Sequence, residues 1–167
     1  GRRGPSRSPR RPATPLPEEA LEGRVIEEVV FTHHHVDHIG GADWARQRGL
    51  RLAAHPQTAS RLPFPVDREL EEGETWDLGL DTAGLPWVVQ ALHTPGHAPG
   101  HLALWETRRR FLLAGDLVSG LSTIIINPPE GDMAAYFASL KRMADLSPRL
   151  VVASHGPPFG PGAPIFE

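Results

Sequence analysis

Cysteine is absent from the 167 residues of this chain. No disulfide can therefore cross-link the fold, and no thiolate can bind a metal ion or act as a nucleophile. Thiolate-rich zinc fingers and iron–sulfur clusters are excluded for the same reason. Any metal chemistry has to use the nine histidines and the carboxylates, and such nitrogen and oxygen ligands suit zinc, iron or manganese.

Long hydrophobic runs are also missing. A helix that spans a bilayer needs about 20 consecutive apolar residues, whereas the apolar stretches here, such as 111–114 and 124–126, have the length of strands. The sequence therefore predicts a protein that does not span a membrane, with the cytoplasm as the expected compartment and the mitochondrion as the alternative. A chain of this length can form one domain with a core, but not two comfortable ones.

Acidic residues are lacking from the first twelve positions, which carry five arginines. Without those five, 12 basic side chains stand against 20 acidic ones, so the formal net charge changes from −3 to −8. Such an acidic body does not favour non-specific binding to nucleic-acid phosphates. Residues 1–15 are rich in Gly, Arg and Pro and have little to bury, so we predict a disordered tail there and a folded domain over residues 16–167.

The hydrophobic pattern predicts an α/β fold. Runs rich in β-branched and aromatic residues predict strands at 25–31, 50–54, 74–80, 87–92, 102–106, 111–114 and 150–153. Apolar residues at helical spacing predict helices at 42–48 and 132–146, and a short helical or irregular piece is predicted at 57–62.

A dense group of possible metal ligands follows the first predicted strand. Residues 33–38 read His-His-His-Val-Asp-His and contain the pattern His-x-His-x-Asp-His, followed by Gly40 and Gly41. Imidazoles and a carboxylate at this density are well suited to zinc. A polar loop or an expression tag is the alternative, but a tag would stand at a terminus and would not be followed by this glycine pair.

This segment resembles the signature motif of the metallo-β-lactamase superfamily. Three further segments are similar to the remaining family positions, in the same order along the chain. They are His97 in Thr-Pro-Gly-His, Asp116 in Leu-Ala-Gly-Asp and His155 in Ala-Ser-His-Gly. The joint match is much more specific than any one of these short motifs. Each group also follows a predicted strand, and ligands of open α/β sheets gather at the carboxyl ends of strands.

The resemblance implies an αβ/βα sandwich and a site for two Zn²⁺ ions, with iron or manganese as alternatives. It implies that His33, His35 and His97 bind one ion, that Asp37, His38 and His155 bind the other, and that Asp116 bridges the two. Asp37 would also be catalytic, because it would orient the attacking water or take up its proton. The opening strands of the family fold have no counterpart in residues 1–15, so residues 16–167 are expected to form an incomplete catalytic domain, a fragment.

Three functions are consistent with the resemblance. The aspartate at position 116 is similar to that of the glyoxalase II and β-lactamase-like protein 2 branches, and differs from β-lactamases that have cysteine there. The first function is a hydrolase that uses a metal-bridging hydroxide to cleave a small-molecule thioester, ester or lactone, or a phosphodiester. The second is an endoribonuclease that cleaves single-stranded RNA, and the third is a truncated remnant that binds metal without turnover. The oligomeric state is left open.

The remaining histidines are assigned weaker roles. His34 occupies the variable position of the motif, so it is expected to face outward or to support a ligand. His93 and His101 flank His97 and are expected either to orient ligands by hydrogen bonds or to be structural. His55 is expected to be a loop residue.

Overall fold

A computed structural model of the chain describes residues 25–160. The tail predicted at residues 1–15 lies outside this range, as do the first residues of the predicted domain and its last seven. The prediction of a disordered tail and the prediction of missing opening strands therefore stay predictions.

Eight strands and three helices form within residues 25–160. The strands are β1 (Glu28–Phe31), β2 (Arg51–Ala54), β3 (Arg68–Glu69), β4 (Thr75–Leu80), β5 (Pro86–His93), β6 (Leu102–Glu106), β7 (Phe111–Gly115) and β8 (Leu150–Ala153). The helices are α1 (Ala42–Gln47), α2 (Pro56–Ala59) and α3 (Met133–Asp145). All seven predicted strands and both predicted long helices are confirmed, with ends that differ by at most three residues. The two-residue strand β3 was not predicted.

The strands form two sheets. The first has the order β1-β2-β3 and is parallel, and α1 makes the crossover between β1 and β2. The second has the order β4-β5-β6-β7-β8, with antiparallel pairs from β4 to β7 and a parallel pair of β7 and β8. The helix α3 connects that parallel pair, because parallel neighbours need a crossover connection rather than a hairpin.

Three buried clusters show how the layers stack. Ala42 and Ala45 of α1 pack with Phe31 and Leu52 on the outer face of the first sheet. Met143 of α3 packs on the second sheet in a cluster that includes Trp105, Leu112 and Val151. A third cluster, Ala53, Leu70, Ala91 and Leu102, contains residues from both sheets. The order helix, sheet, sheet, helix confirms the expected αβ/βα sandwich.

A buried carboxylate links the two sheets. The side chain of Glu28 on β1 accepts the indole N–H of Trp76 on β4 at 2.8 Å and a guanidinium N–H of Arg68 at 3.1 Å. Only 6% of the Glu28 side chain is exposed. Because a buried charge needs such partners, this contact helps to fix the position of one sheet relative to the other.

Candidate metal centre

The histidine cluster lies in the tight loop that follows β1. His33 is buried, and His38 N–H donates to the carbonyl of His35 at 3.0 Å, which turns the backbone back on itself. Leu102 N–H, at the start of β6, donates to the carbonyl of Thr32 at 2.8 Å. The loop is thus held against the second sheet, and its imidazoles face residues that come from there.

His97 is placed by the loop between β5 and β6. Gly96 has a φ of +134°, and a Cβ there would lie 2.3 Å from Tyr136 Cα, so α3 packs directly on this turn. Ser139 Oγ of the same helix donates to the carbonyl of Pro95 at 2.7 Å. His97 Nδ1 donates to the carbonyl of Ile125 at 2.9 Å. That bond orients Nε2 of His97 towards the other histidines.

Asp116 and His155 follow the parallel strands β7 and β8. Ser154 N–H donates to the carbonyl of Gly115 at 3.1 Å, which keeps the two strand ends together. The backbone N–H of Asp116 donates to Nε2 of the buried His101 at 3.0 Å. The other ring nitrogen of His101, Nδ1, therefore carries the proton and contacts Thr94 Oγ1 at 2.7 Å. Of the two roles considered for His101, this contact favours the orienting one, because the ring holds the backbone of Asp116.

All seven predicted site residues lie in one centre, and Asp116 Oδ2 is in its middle. The Nε2 atoms of four imidazoles lie around this oxygen, at 3.9 Å for His33, 3.4 Å for His38, 3.6 Å for His97 and 3.6 Å for His155. One carboxylate oxygen therefore faces histidines from both predicted ligand sets, His33 and His97 of the first and His38 and His155 of the second.

The two remaining predicted residues, His35 and Asp37, lie beside the other members of their ligand sets. His35 Nδ1 lies 2.9 Å from His97 Nε2. Asp37 Oδ2 lies 3.5 Å from Nε2 of both His38 and His155. Three groups within residues 25–160 could hold a cation at this centre: His33, His35 and His97; His33, His38 and Asp116; and Asp37, His38 and His155.

Unpaired buried atoms show that the centre fits a cation. His33 Nε2, His38 Nε2 and Asp116 Oδ1 are buried and have no hydrogen-bond partner among the described residues. Burying such atoms without a partner is costly, and three of them at one place are readily explained if they bind an ion. Imidazole nitrogens and carboxylate oxygens are also ligands that zinc and iron accept.

The electrostatics of the site favour neutral imidazoles at two members of the first ligand set, His33 and His35. Burial, and then the neighbouring His101 and His38, lower the pKa of His33 far below its usual range. Burial and the neighbouring His97 lower the pKa of His35 as well. Neutral imidazoles have the lone pair that a cation needs.

The Asp116 carboxylate is held in its charged form. Burial alone would raise its pKa, but the contact with His38 and the nearby His33 and His155 lower it well below the usual value. Burial opposes protonation of His38, yet Asp116 and Asp37 raise its pKa. A negative oxygen therefore lies at the middle of the histidines.

A cavity of about 450 Å³ opens onto this centre. Its lining residues are His35, Asp37, His97, Asp116, Ser122, Thr123, Ile124, Ile125, Asn127, Glu130 and His155. Five of the seven predicted residues are thus accessible from the cavity. Residues 122–130 contain no ligand motif, and the short apolar stretch 124–126 gave no sign in the sequence of a position beside the site.

The other histidines have structural partners. His34 Nε2 contacts Glu130 Oε2 at 3.1 Å, and together with His35 these residues make a fourth group that could hold an ion. His93 Nε2 donates to the carbonyl of Pro99 at 2.8 Å, below the turn that carries His97. His55 is more than a loop residue, because its Nδ1 caps α2 and its ring stacks on that of His93 at 4.1 Å.

Among the helices of residues 25–160, none is long and apolar enough to cross a membrane.

Curated relatives share sequence with most of this chain. The hydroxyacylglutathione hydrolase of Acidiphilium cryptum is 35% identical over 144 residues, covering 82% of this chain and 53% of its own length. That of Bdellovibrio bacteriovorus is 30% identical over 127 residues, covering 76% and 47%. The β-lactamase-like protein 2 homolog of Caenorhabditis elegans is 30% identical over 132 residues, covering 79% and 43%. The chain therefore spans about half the length of these relatives.

Solved structures share the fold. TTHA1623 in a di-iron-bound form is 29% identical, with a TM-score of 0.68 over 85% of this chain and 77% of that one. A metallo-β-lactamase from Pontibacter korlensis is 19% identical, with a TM-score of 0.68 over 85% and 68%, and it supports the fold alone. The family model described as the metallo-β-lactamase superfamily matches residues 4–155. The chain therefore belongs to the metallo-β-lactamase superfamily.

Proposed function

We infer that this chain is a metal-dependent hydrolase that binds two divalent cations and cleaves an ester-like bond with water. The observation that carries this proposal is the position of Asp116 Oδ2, within 3.9 Å of four imidazole nitrogens. A carboxylate oxygen so placed would help to hold a pair of divalent cations of the kind that two-metal hydrolases use.

The ligands divide into two sets. His33, His35 and His97 would hold the first cation, because their ligand atoms lie close together. Asp37, His38 and His155 would hold the second, and Asp116 would contact both ions. Bound there, a cation pair would lower the pKa of a water molecule towards neutrality and stabilise developing negative charge. Zinc is the proposed metal, and the di-iron form of TTHA1623 makes iron the main alternative.

Asp37 is the proposed catalytic residue. Its side chain is 57% exposed and lines the cavity, whereas the Asp116 side chain is 9% exposed. The Asp37 carboxylate can therefore meet a substrate and accept a hydrogen bond or a proton from the attacking water. Asp116 is held by His101 and surrounded by imidazoles, so it is suited to binding rather than to proton transfer.

A small-molecule thioester or ester is the proposed substrate. Two relatives at 30% and 35% identity are hydroxyacylglutathione hydrolases by name, and this name describes the cleavage of a thioester. A second candidate function is cleavage of single-stranded RNA, which the resemblance to the β-lactamase-like protein 2 branch implies; one relative carries that name.

The test combines metal content with substrate hydrolysis. Metal is measured by mass spectrometry in the purified protein, which is then assayed on thioesters, lactones, phosphodiesters and single-stranded RNA, with and without a chelator. We expect chelator-sensitive hydrolysis of thioesters or esters. Cleavage of RNA alone would support the second candidate, and bound metal without any turnover would support the remnant hypothesis.

Substitutions test the residue roles. Asp37→Ala and Asp116→Ala are expected to lower kcat/KM by at least about a hundredfold and to weaken binding of the second cation. Asp145→Ala is the control, because Asp145 pairs with Lys141 on the surface of α3 and does not line the cavity. Full activity in either active-site variant would refute the assignment.

A further inference from the structure

The cavity has one wall without helix or strand, formed by residues 121–130, here named the cleft segment. Six residues of the cleft segment line the cavity: Ser122, Thr123, Ile124, Ile125, Asn127 and Glu130. The other lining residues are histidines and aspartates of the candidate metal centre. A ligand bound in the cavity would therefore contact the cleft segment as well as the candidate metal centre.

Hydrogen bonds fix the cleft segment at its middle and at its far end. The carbonyl of Ile125 accepts the Nδ1 proton of His97 at 2.9 Å. Glu130 contacts His34 at 3.1 Å and lies 3.5 Å from the guanidinium of Arg61. Just beyond the segment, Asp132 N–H donates to the carbonyl of Gly96 at 2.8 Å. The segment thus has a defined position relative to the histidines although it has no regular structure.

The cleft segment contributes two apolar residues to the cavity beside a charged centre. Ile125 lines the cavity and is 64% exposed, and Ile124 beside it is half-buried. Single exposed apolar residues are common on protein surfaces and need no explanation. Ile124 and Ile125 differ from that case, because both line a cavity whose other lining residues are polar, and a ligand bound there would contact them.

We propose that Ile124 and Ile125 form a subsite for an apolar chain, so that the substrate carries an alkyl or similar acyl group next to the bond that is cleaved. This inference rests on the proposed function, because cations held by the candidate metal centre would position the reacting carbonyl. The cavity of about 450 Å³ has room for such a group beside the centre.

Binding of alkyl carboxylates to the zinc-loaded protein tests the subsite without requiring turnover. Acetate, butyrate, hexanoate and octanoate are compared by titration calorimetry, since each has the carboxylate that ester hydrolysis would release. We expect affinity to rise about two- to fourfold for each methylene group that the subsite covers. Equal affinity for acetate and octanoate, or no detectable binding of any of them, would overturn the subsite.

Variants locate the effect. Ile124→Ser and Ile125→Ser are expected to flatten the dependence of affinity on chain length while acetate binding stays unchanged. Leu80→Ser is the matched control, because Leu80 is 71% exposed on β4 and does not line the cavity. An unchanged chain-length dependence in both isoleucine variants would also overturn the proposal.

The subsite and the proposed function fail in different ways. Hydrolysis of acyl thioesters of N-acetylcysteamine is measured with the same chain lengths. A rise in carboxylate affinity with chain length, but no hydrolysis, would refute the proposed function and support the subsite. Hydrolysis with a flat dependence on chain length would leave the function and remove the subsite.

Discussion

Gly115, the last residue of β7, permits a close approach that an alanine would prevent. Its φ is +55°, in the left-handed region, and a Cβ there would lie 2.5 Å from His101 Nε2. His101 is fully buried and accepts the backbone N–H of Asp116 at 3.0 Å. The Gly115→Ala substitution therefore strains the backbone, and it also pushes against the ring that orients the central aspartate.

The free energy of unfolding that Gly115→Ala is expected to lose has two contributions. The left-handed conformation costs about 1–2 kcal/mol for a residue with a Cβ. Displacement of the buried ring, and weakening of its bond to Asp116, together add about 2–4 kcal/mol. Gly49→Ala isolates the first part, because Gly49 has a φ of +68° with no atom within 4 Å of the added Cβ.

Urea unfolding of the two variants in the presence of a chelator measures the difference between them. We expect Gly115→Ala to be less stable than Gly49→Ala by about 2–4 kcal/mol. Metal titration of the folded variants should also show weaker cation binding for Gly115→Ala alone. Equal unfolding midpoints and equal cation affinities for the two variants would refute the role assigned to His101.

Two further predictions concern stability. Glu28→Ala removes the carboxylate that Arg68 and Trp76 share, and we expect the free energy of unfolding in urea to fall by about 2–3 kcal/mol. The control is Glu27→Ala at the exposed neighbouring position, which should change this free energy little; equal losses would contradict the linking role of Glu28. Burial lowers the pKa of His101 to about 3, so without metal its contribution to stability is complete above pH 6.5 and falls by about 1.4 kcal/mol per pH unit as the pH drops towards 3. His101→Gln removes the titrating group, so the dependence of the unfolding free energy on pH should become weaker by about 1.4 kcal/mol per pH unit, which corresponds to one proton. Urea unfolding between pH 3 and 6.5 measures this, and an unchanged dependence would show that His101 is not the group that titrates.

Much of the fold could be predicted because each element is encoded locally. The β-branched run before Thr32 and the apolar spacing of α3 give clear signals, and Gly49 and Pro148 mark where helices end. The strand β3 could not be found in this way, since two residues carry no periodicity. It forms because Arg68 and Glu69 pair through their backbones with β2, which depends on the tertiary fold.

The candidate site likewise contains residues that local patterns predict and contacts that depend on the tertiary fold. The ligand motifs stand in the sequence as short patterns, and the structure brings their seven residues together. The carbonyl of Ile125 and the carboxylate of Glu130 have no such pattern, because one is a backbone atom and the other contacts His34, 96 positions away. Contacts of this kind depend on how the chain returns to the site, which local signals do not encode.

The two sheets contribute different parts of the centre, and this has a consequence for folding. The loop after β1 supplies His33, His35, Asp37 and His38, whereas the second sheet and its loops supply the remaining three residues. A folding intermediate in which only one sheet had formed would therefore have an incomplete ligand set. Cations that bind after both sheets have docked would hold the two sheets together. The rate of metal uptake during refolding would therefore report the rate at which the sheets dock.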